Sequence, residues 1–205
     1  MPRVSAAVLA PILVGALAGL FGGAAPQAQK AADDNAFPRT KHNGRATVQY
    51  EDNRVKAVAI YDYSQRHHDD SPWLLVQLGI ALRQRTVVHR SNLTLVAPDG
   101  RVIPLATQEA FVADSARLRQ FHQNARIFRR DVLSYFPKSA SGDSMRFFAL
   151  PGQGVVSDEA VVPATQGVVV GDIYFKAPTG VWEDGVYRLV FDHEEGRAEL
   201  PIRLE

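Results

Sequence analysis

The densest metal-ligating chemistry in the chain lies in one short stretch, Arg66-His67-His68-Asp69-Asp70-Ser71-Pro72. His67, His68, Asp69 and Asp70 offer imidazole nitrogens and carboxylate oxygens, the donors that hold divalent first-row metals, and a turn can converge neighbours that a strand would separate. A second group, Asp192-His193-Glu194-Glu195, precedes Gly196. Neither group meets a fixed ligand spacing, and Asp and His are common in solvated turns. The solvated turn is therefore the leading reading, and the four residues at 67–70 are the candidate ligands of a metal-handling or hydrolytic alternative. His42, His89 and His122 stand alone and read as structural. No cofactor is expected, because Gly152-Gln153-Gly154 lacks the third glycine and the strand–turn–helix setting of a dinucleotide loop. A chain of 205 residues without one cysteine excludes disulfides, zinc–thiolate centres and thiol nucleophiles.

Charge points to a different kind of chemistry. Setting Arg3 aside, basic and acidic side chains balance at 22 each, which argues against a general polyanion binder and against nucleic acid. The balance is uneven along the chain. Residues 114–138 hold Arg117, Arg119, Arg126, Arg129, Arg130 and Lys138 against Asp114 and Asp131, and residues 157–205 carry a net −6. Arg119, Arg126 and Arg130 are spaced to form one outward basic ridge on a helix. They are the candidate surface for a protein or anionic partner.

The elements that must position these residues are mostly strands. Leu74, Val76, Leu78, Ile80 and Leu82 alternate within Trp73–Arg83, with Gln77, Gly79 and Arg83 opposite. Val55–Tyr63 alternates likewise. Val87–Val96, the turn Pro98-Asp99-Gly100 and Arg101–Leu105 read as a hairpin. Val168–Phe175, Val186–Asp192 and Ala198–Leu204 follow, with Pro201 marking the last as an edge strand. A further strand is expected over Arg146–Leu150, after a polar loop at 138–144, giving eight or nine in all. One segment breaks the period: Leu118, Phe121, Ala125, Phe128, Val132 and Phe136 step by three and four, which predicts a helix from Ser115 to about Tyr135.

Asp184-Gly185-Val186-Tyr187-Arg188-Leu189 resembles the approach to strand F in immunoglobulin-like and fibronectin-type sandwiches. The resemblance implies that the Tyr187 hydroxyl bonds back to the backbone of the preceding corner, and that Ala198–Leu204 is the last strand of the sandwich. Gly142-Asp143-Ser144 is similar to the Gly-Asp-Ser block of a lipase and esterase superfamily. Those enzymes set it after an early buried strand and use an Asp-x-x-His block, whereas here Asp192 and His193 are adjacent. The serine reads as a loop residue.

The N-terminus carries Arg3, then an uncharged apolar stretch from Val4 to Ala25 with a small-residue exit, the pattern of a secretory signal peptide. A membrane contact is expected only if that stretch stays uncleaved as an anchor. The sequence thus predicts a signal peptide at 1–25 and a flexible lead-in at 26–44. A mainly β, immunoglobulin-like antiparallel sandwich is expected over 45–205, with a helical insertion at about 114–137. The expected protein is a periplasmic or secreted binding or assembly module.

Overall fold

The computed structural model describes residues 39–163 and 167–205. The expected signal segment lies outside them. In chain order the elements are β1 (Thr40–His42), β2 (Thr47–Glu51), β3 (Val55–Ile60), α1 (Asp62–Arg66), β4 (Trp73–Leu82), β5 (Thr86–His89), β6 (Leu93–Val96) and β7 (Val102–Pro104). Then come α2 (Gln108–Ala113), α3 (Ser115–Ala125), β8 (Ser141–Ser144), β9 (Glu159–Val162), β10 (Gly167–Lys176), β11 (Gly185–His193) and β12 (Gly196–Leu204).

The protein is mainly β. Its larger sheet runs β1-β2-β3-β4-β10-β8, antiparallel except for the β8–β10 pair, and a second sheet runs β12-β11-β6-β7. β5 and β9 form a separate two-stranded ribbon. The two main sheets enclose one core, to which the larger sheet gives Val48, Leu78 and Ile173 and the smaller gives Leu95, Leu189 and Ile202. The alternating residues read from the sequence at 74–82, 187–191 and 198–204 all lie in this core, because period-two burial needs one face of each strand turned inward. β12 is an edge strand, as Pro201 requires. Tyr187 Oη donates to the Glu183 carbonyl at 3.1 Å, which closes the corner before β11.

The opposite face of the larger sheet is also covered. Register pairs Trp73 with Lys176, Leu75 with Tyr174, Gln77 with Asp172, Gly79 with Val170, and Ala81 with Val168. At one end α2 and α3 bury Phe111, Leu118, Phe121 and Ala125 against Trp73, Leu75 and Tyr174. At the other end, Val132 and Phe136 pack with Val58, Ile60 and Val168. Gly79 permits this close approach, since a Cβ there would stand 2.6 Å from Val132 Cγ1 and 2.9 Å from Phe136.

Several boundaries differ from the sequence reading, each for a local reason. The expected single helix to Tyr135 ends at Ala125 and continues only as 3₁₀ turns at Arg126–Phe128 and Val132–Tyr135. It breaks where the sheet beneath turns polar. α2 precedes it, capped by Thr107 Oγ1, which accepts from Ala110 N at 3.1 Å. The strand expected over Val87–Val96 is cut by a 3₁₀ turn, because Asn92 Oδ1 takes the His89 N–H at 2.7 Å while its Nδ2 donates to the Asp192 carbonyl. The strand begun at Val55 stops at Ile60, and α1 carries Tyr63 to the helical side. Ser141–Ser144, read as loop, forms β8. Arg146–Leu150, read as strand, does not form one. Within the expected lead-in, Thr40–His42 pair with β2, and Arg39 anchors them through Asp52 at 3.1 Å.

Candidate functional site

The outer face of the β4–β10 pair is apolar at both ends and polar in the middle, at Gln77 and Asp172. Apolar side chains cannot satisfy that middle row, and burying it bare would cost roughly 1–3 kcal/mol per group. The chain between the two helical packets supplies the partners. Arg130 N donates to Gln77 Oε1 at 3.3 Å, and Arg129 Nη2 pairs with Asp172 Oδ2. Arg130 Nε reaches past the sheet to Asp62 Oδ2 at 2.6 Å, whose side chain is only 9% exposed.

Around this row lies a cleft with two lobes, about 480 Å³ and 460 Å³, that share His122, Arg129, Asp172 and Tyr174. Volumes of this size suit a small ligand. Arg119 and Arg126, from α3 and the turn after it, line one lobe; Arg130 and Arg146 line the other. Among the described residues, Arg119, Arg126 and Arg146 have no carboxylate in ion-pair reach.

The far wall is the irregular segment 145–150. Two backbone hydrogen bonds, Met145 N to the Val170 carbonyl at 2.7 Å and Ser157 N to the Arg146 carbonyl at 2.9 Å, hold its start, and side chains hold the rest: Arg90 donates to the Phe147 carbonyl and, outside the segment, to that of Ala106, and Gln108 Nε2 donates to the Ala149 carbonyl at 2.7 Å. Burial pushes the Arg90 pKa down, opposed by Asp158, with which it pairs at 3.4 Å. This clamp fixes Phe148, half-buried, with the Arg90 guanidinium 4.5 Å over its ring and with Phe111 and Tyr174 each 5.1 Å away. The result is an aromatic wall beside a row of guanidiniums.

At the floor, Tyr174 Oη lies 2.7 Å from His122 Nε2, the rings stacked at 5.4 Å. Burial pushes the His122 pKa down, partly opposed by Asp172. Burial also raises the Tyr174 hydroxyl well above its ordinary range. Both shifts favour the uncharged forms of the pair.

Of the residues singled out by charge, Arg119 and Arg126 are brought to this cleft and face solvent. Arg130 is exposed as well but lies past the end of the helix, and its side chain pairs with Asp62. The loop at 67–70 is engaged elsewhere. His67 Nδ1 lies 3.0 Å from the Tyr63 carbonyl, with its ring stacked on Tyr63. His68, buried, lies between two acceptors, the Gln65 carbonyl at 3.2 Å and Asp184 Oδ1 at 2.7 Å. Asp69 and Asp70 are exposed, and among the described residues no three His, Asp or Glu side chains come together in a metal-ligating group. His193 of the second group lies 3.1 Å from the Val87 carbonyl. Asp143 and Ser144 sit exposed on β8.

His122, Asp172, Tyr174, Arg146 and Phe148 went unrecognised as site residues. His122 and Tyr174 are 52 residues apart, and no local spacing links them. The one legible hint was Asp172 itself, a carboxylate inside an apolar alternating strand. The chain matches no protein-family model, no curated protein and no solved structure.

Proposed function

We propose that this protein is an exported, non-catalytic binding module that takes an anionic ligand in the cleft over Gln77 and Asp172. The observation that carries the reading is the gathering of Arg119, Arg126, Arg129 and Arg146 at one cleft, three of them without a carboxylate partner among the described residues. Guanidiniums stay charged at every physiological pH and donate in a planar fork that suits oxyanions. The Tyr174–His122 pair is hydrogen-bonded within itself, so the chemistry favours holding a ligand over breaking its bonds.

Export rests on the signal-like residues 1–25. An immunoglobulin-like sandwich is supported by the core shared between two sheets and by the Tyr187–Glu183 bond, the contact that the corner tyrosine of such domains makes. In this reading α2, α3 and the turns after them are a layer added to one sheet, and that layer creates the cleft.

The test is thermal unfolding of the purified domain with phosphate, sulfate, benzoate and uncharged controls. A ligand that binds only the folded state raises the melting temperature in proportion to RT ln(1 + [L]/Kd). At least one anion is expected to stabilise the parent, and the shift should vanish in Arg119→Ala/Arg126→Ala. Equal shifts in both proteins, or none from any anion, would overturn the reading.

A further inference from the structure

Asp172 is out of place by the logic of its strand. It sits on β10 between Val170 and Tyr174 on the same face, where a β-branched or aromatic residue would pack better. Its side chain is 23% exposed and lines the cleft, and its partner Arg129 is 53% exposed. We infer that Asp172 is the resident counter-ion of the cleft, occupying Arg129 until a phosphomonoester with a flat apolar body displaces it. This rests on the anion-binding reading and gives it a ligand class and a specificity residue.

Three features carry the choice of ligand. First, charge: beside the paired Arg129, the cleft presents Arg119, Arg126 and Arg146 without carboxylate partners among the described residues. A carboxylate engages one guanidinium fork, whereas a phosphate dianion can engage Arg129 and still offer an oxygen to a second arginine. Second, reach: Arg119 and Arg126 are seven residues apart on one helical face, about 10 Å along the axis, so they flank a ligand instead of crowding one oxygen. Third, shape: the half-buried Phe148 ring beside Tyr174 and Phe111 offers a flat apolar wall next to the guanidiniums. The neutral His122–Tyr174 pair adds no competing charge at the floor.

The exchange itself needs little rearrangement. Arg129 lies in the extended link after the 3₁₀ turn, with φ −65° and ψ 134°, and its guanidinium is already half in solvent. Once the ligand takes Arg129, Asp172 is left as a like charge beside it. Asp172 thereby weakens every anion, and most strongly those that cannot recruit a second arginine.

Calorimetric titration with phenyl phosphate, inorganic phosphate and benzyl alcohol tests this on the parent, Asp172→Asn and Asp172→Thr, the second variant being a good strand former should the first fold poorly. The parent is expected to prefer phenyl phosphate to either fragment. Removing the carboxylate should tighten phenyl phosphate about tenfold. Unchanged or weaker binding in the variants would overturn the counter-ion role and make Asp172 a positioning residue for Arg129. If phenyl phosphate fails to bind while benzoate or sulfate still binds through Arg119 and Arg126, the ligand class falls and the anion-binding reading stands. If no anion binds at all, both fall.

Discussion

The two faces of the six-stranded sheet are built on different terms. The inner face is apolar from end to end and meets another sheet whose facing residues are also apolar, so its stability comes from area removed from water. The outer face is aromatic at one end, polar in the middle and aliphatic at the other, and it meets helices and irregular chain. Its middle is held by named pairs: Arg129 with Asp172, Arg130 with Asp62 and with Gln77, and Tyr174 with His122. A closed apolar interface has no donor or acceptor left for a ligand to take. A polar row under a helical layer leaves donors and acceptors whose partners can be exchanged.

The largest effect should come from asking whether the outer face is a true second core. Phe121 is 5% exposed in the packet with Trp73 and Tyr63, so Phe121→Asp should cost several kcal/mol, enough to unfold or aggregate the protein. A parent-like melting curve for Phe121→Asp would mean that the helical layer is not part of the cooperative unit. Arg130 sharpens the comparison within the polar row. Arg130→Ala strips a nearly buried carboxylate of its cation and should cost about 1–3 kcal/mol in denaturant melts. The control Arg126→Glu, on an exposed and unpaired position, should stay within about 0.5 kcal/mol. Equal costs for the two would remove the distinction drawn between a structural and a ligand-facing arginine. The smallest effect of the three belongs to the margin of the inner core, where Tyr187→Phe removes one hydrogen bond and should cost about 1 kcal/mol. A neutral Tyr187→Phe would detach the corner from the stability of the core.

Legibility followed the same division. The inner face could be read from alternation alone, because burial at every second residue is a local pattern; Leu74 to Leu82 and Ala198 to Leu204 fall in the core as spaced. On the outer face the helical stripe was readable, and Leu118, Phe121, Ala125 and Val132 are all buried. The break at Arg126 was not, since Arg-Ile-Phe-Arg-Arg has no helix breaker; the partners that Arg129 and Arg130 meet after it, Asp172 and Gln77, are far away in sequence. Phe147 and its neighbours look like a strand until Arg90 and Gln108 are seen taking their carbonyls. Three of the cleft's arginines, Arg119, Arg126 and Arg130, could be flagged by charge. Its imidazole comes from the same helix as Arg119, but its carboxylate and its aromatic wall come from other stretches of chain, and only tertiary structure assembles them.

The platform beneath the helical layer has a consequence for the order in which the molecule comes together. β4 and β10 are joined in register from Trp73–Lys176 to Ala81–Val168, so the surface on which α3 docks consists of two strands nearly a hundred residues apart. Closing a loop of that size is entropically expensive, and topologies dominated by such pairings reach their native state slowly. The meander β1 to β4 and the hairpin β11–β12 can form from local contacts. The α3 stripe cannot find its full seat until β10 arrives. Until then the stripe has only the β3–β4 half of its seat, at Tyr63, Trp73 and Leu75, and lacks Tyr174.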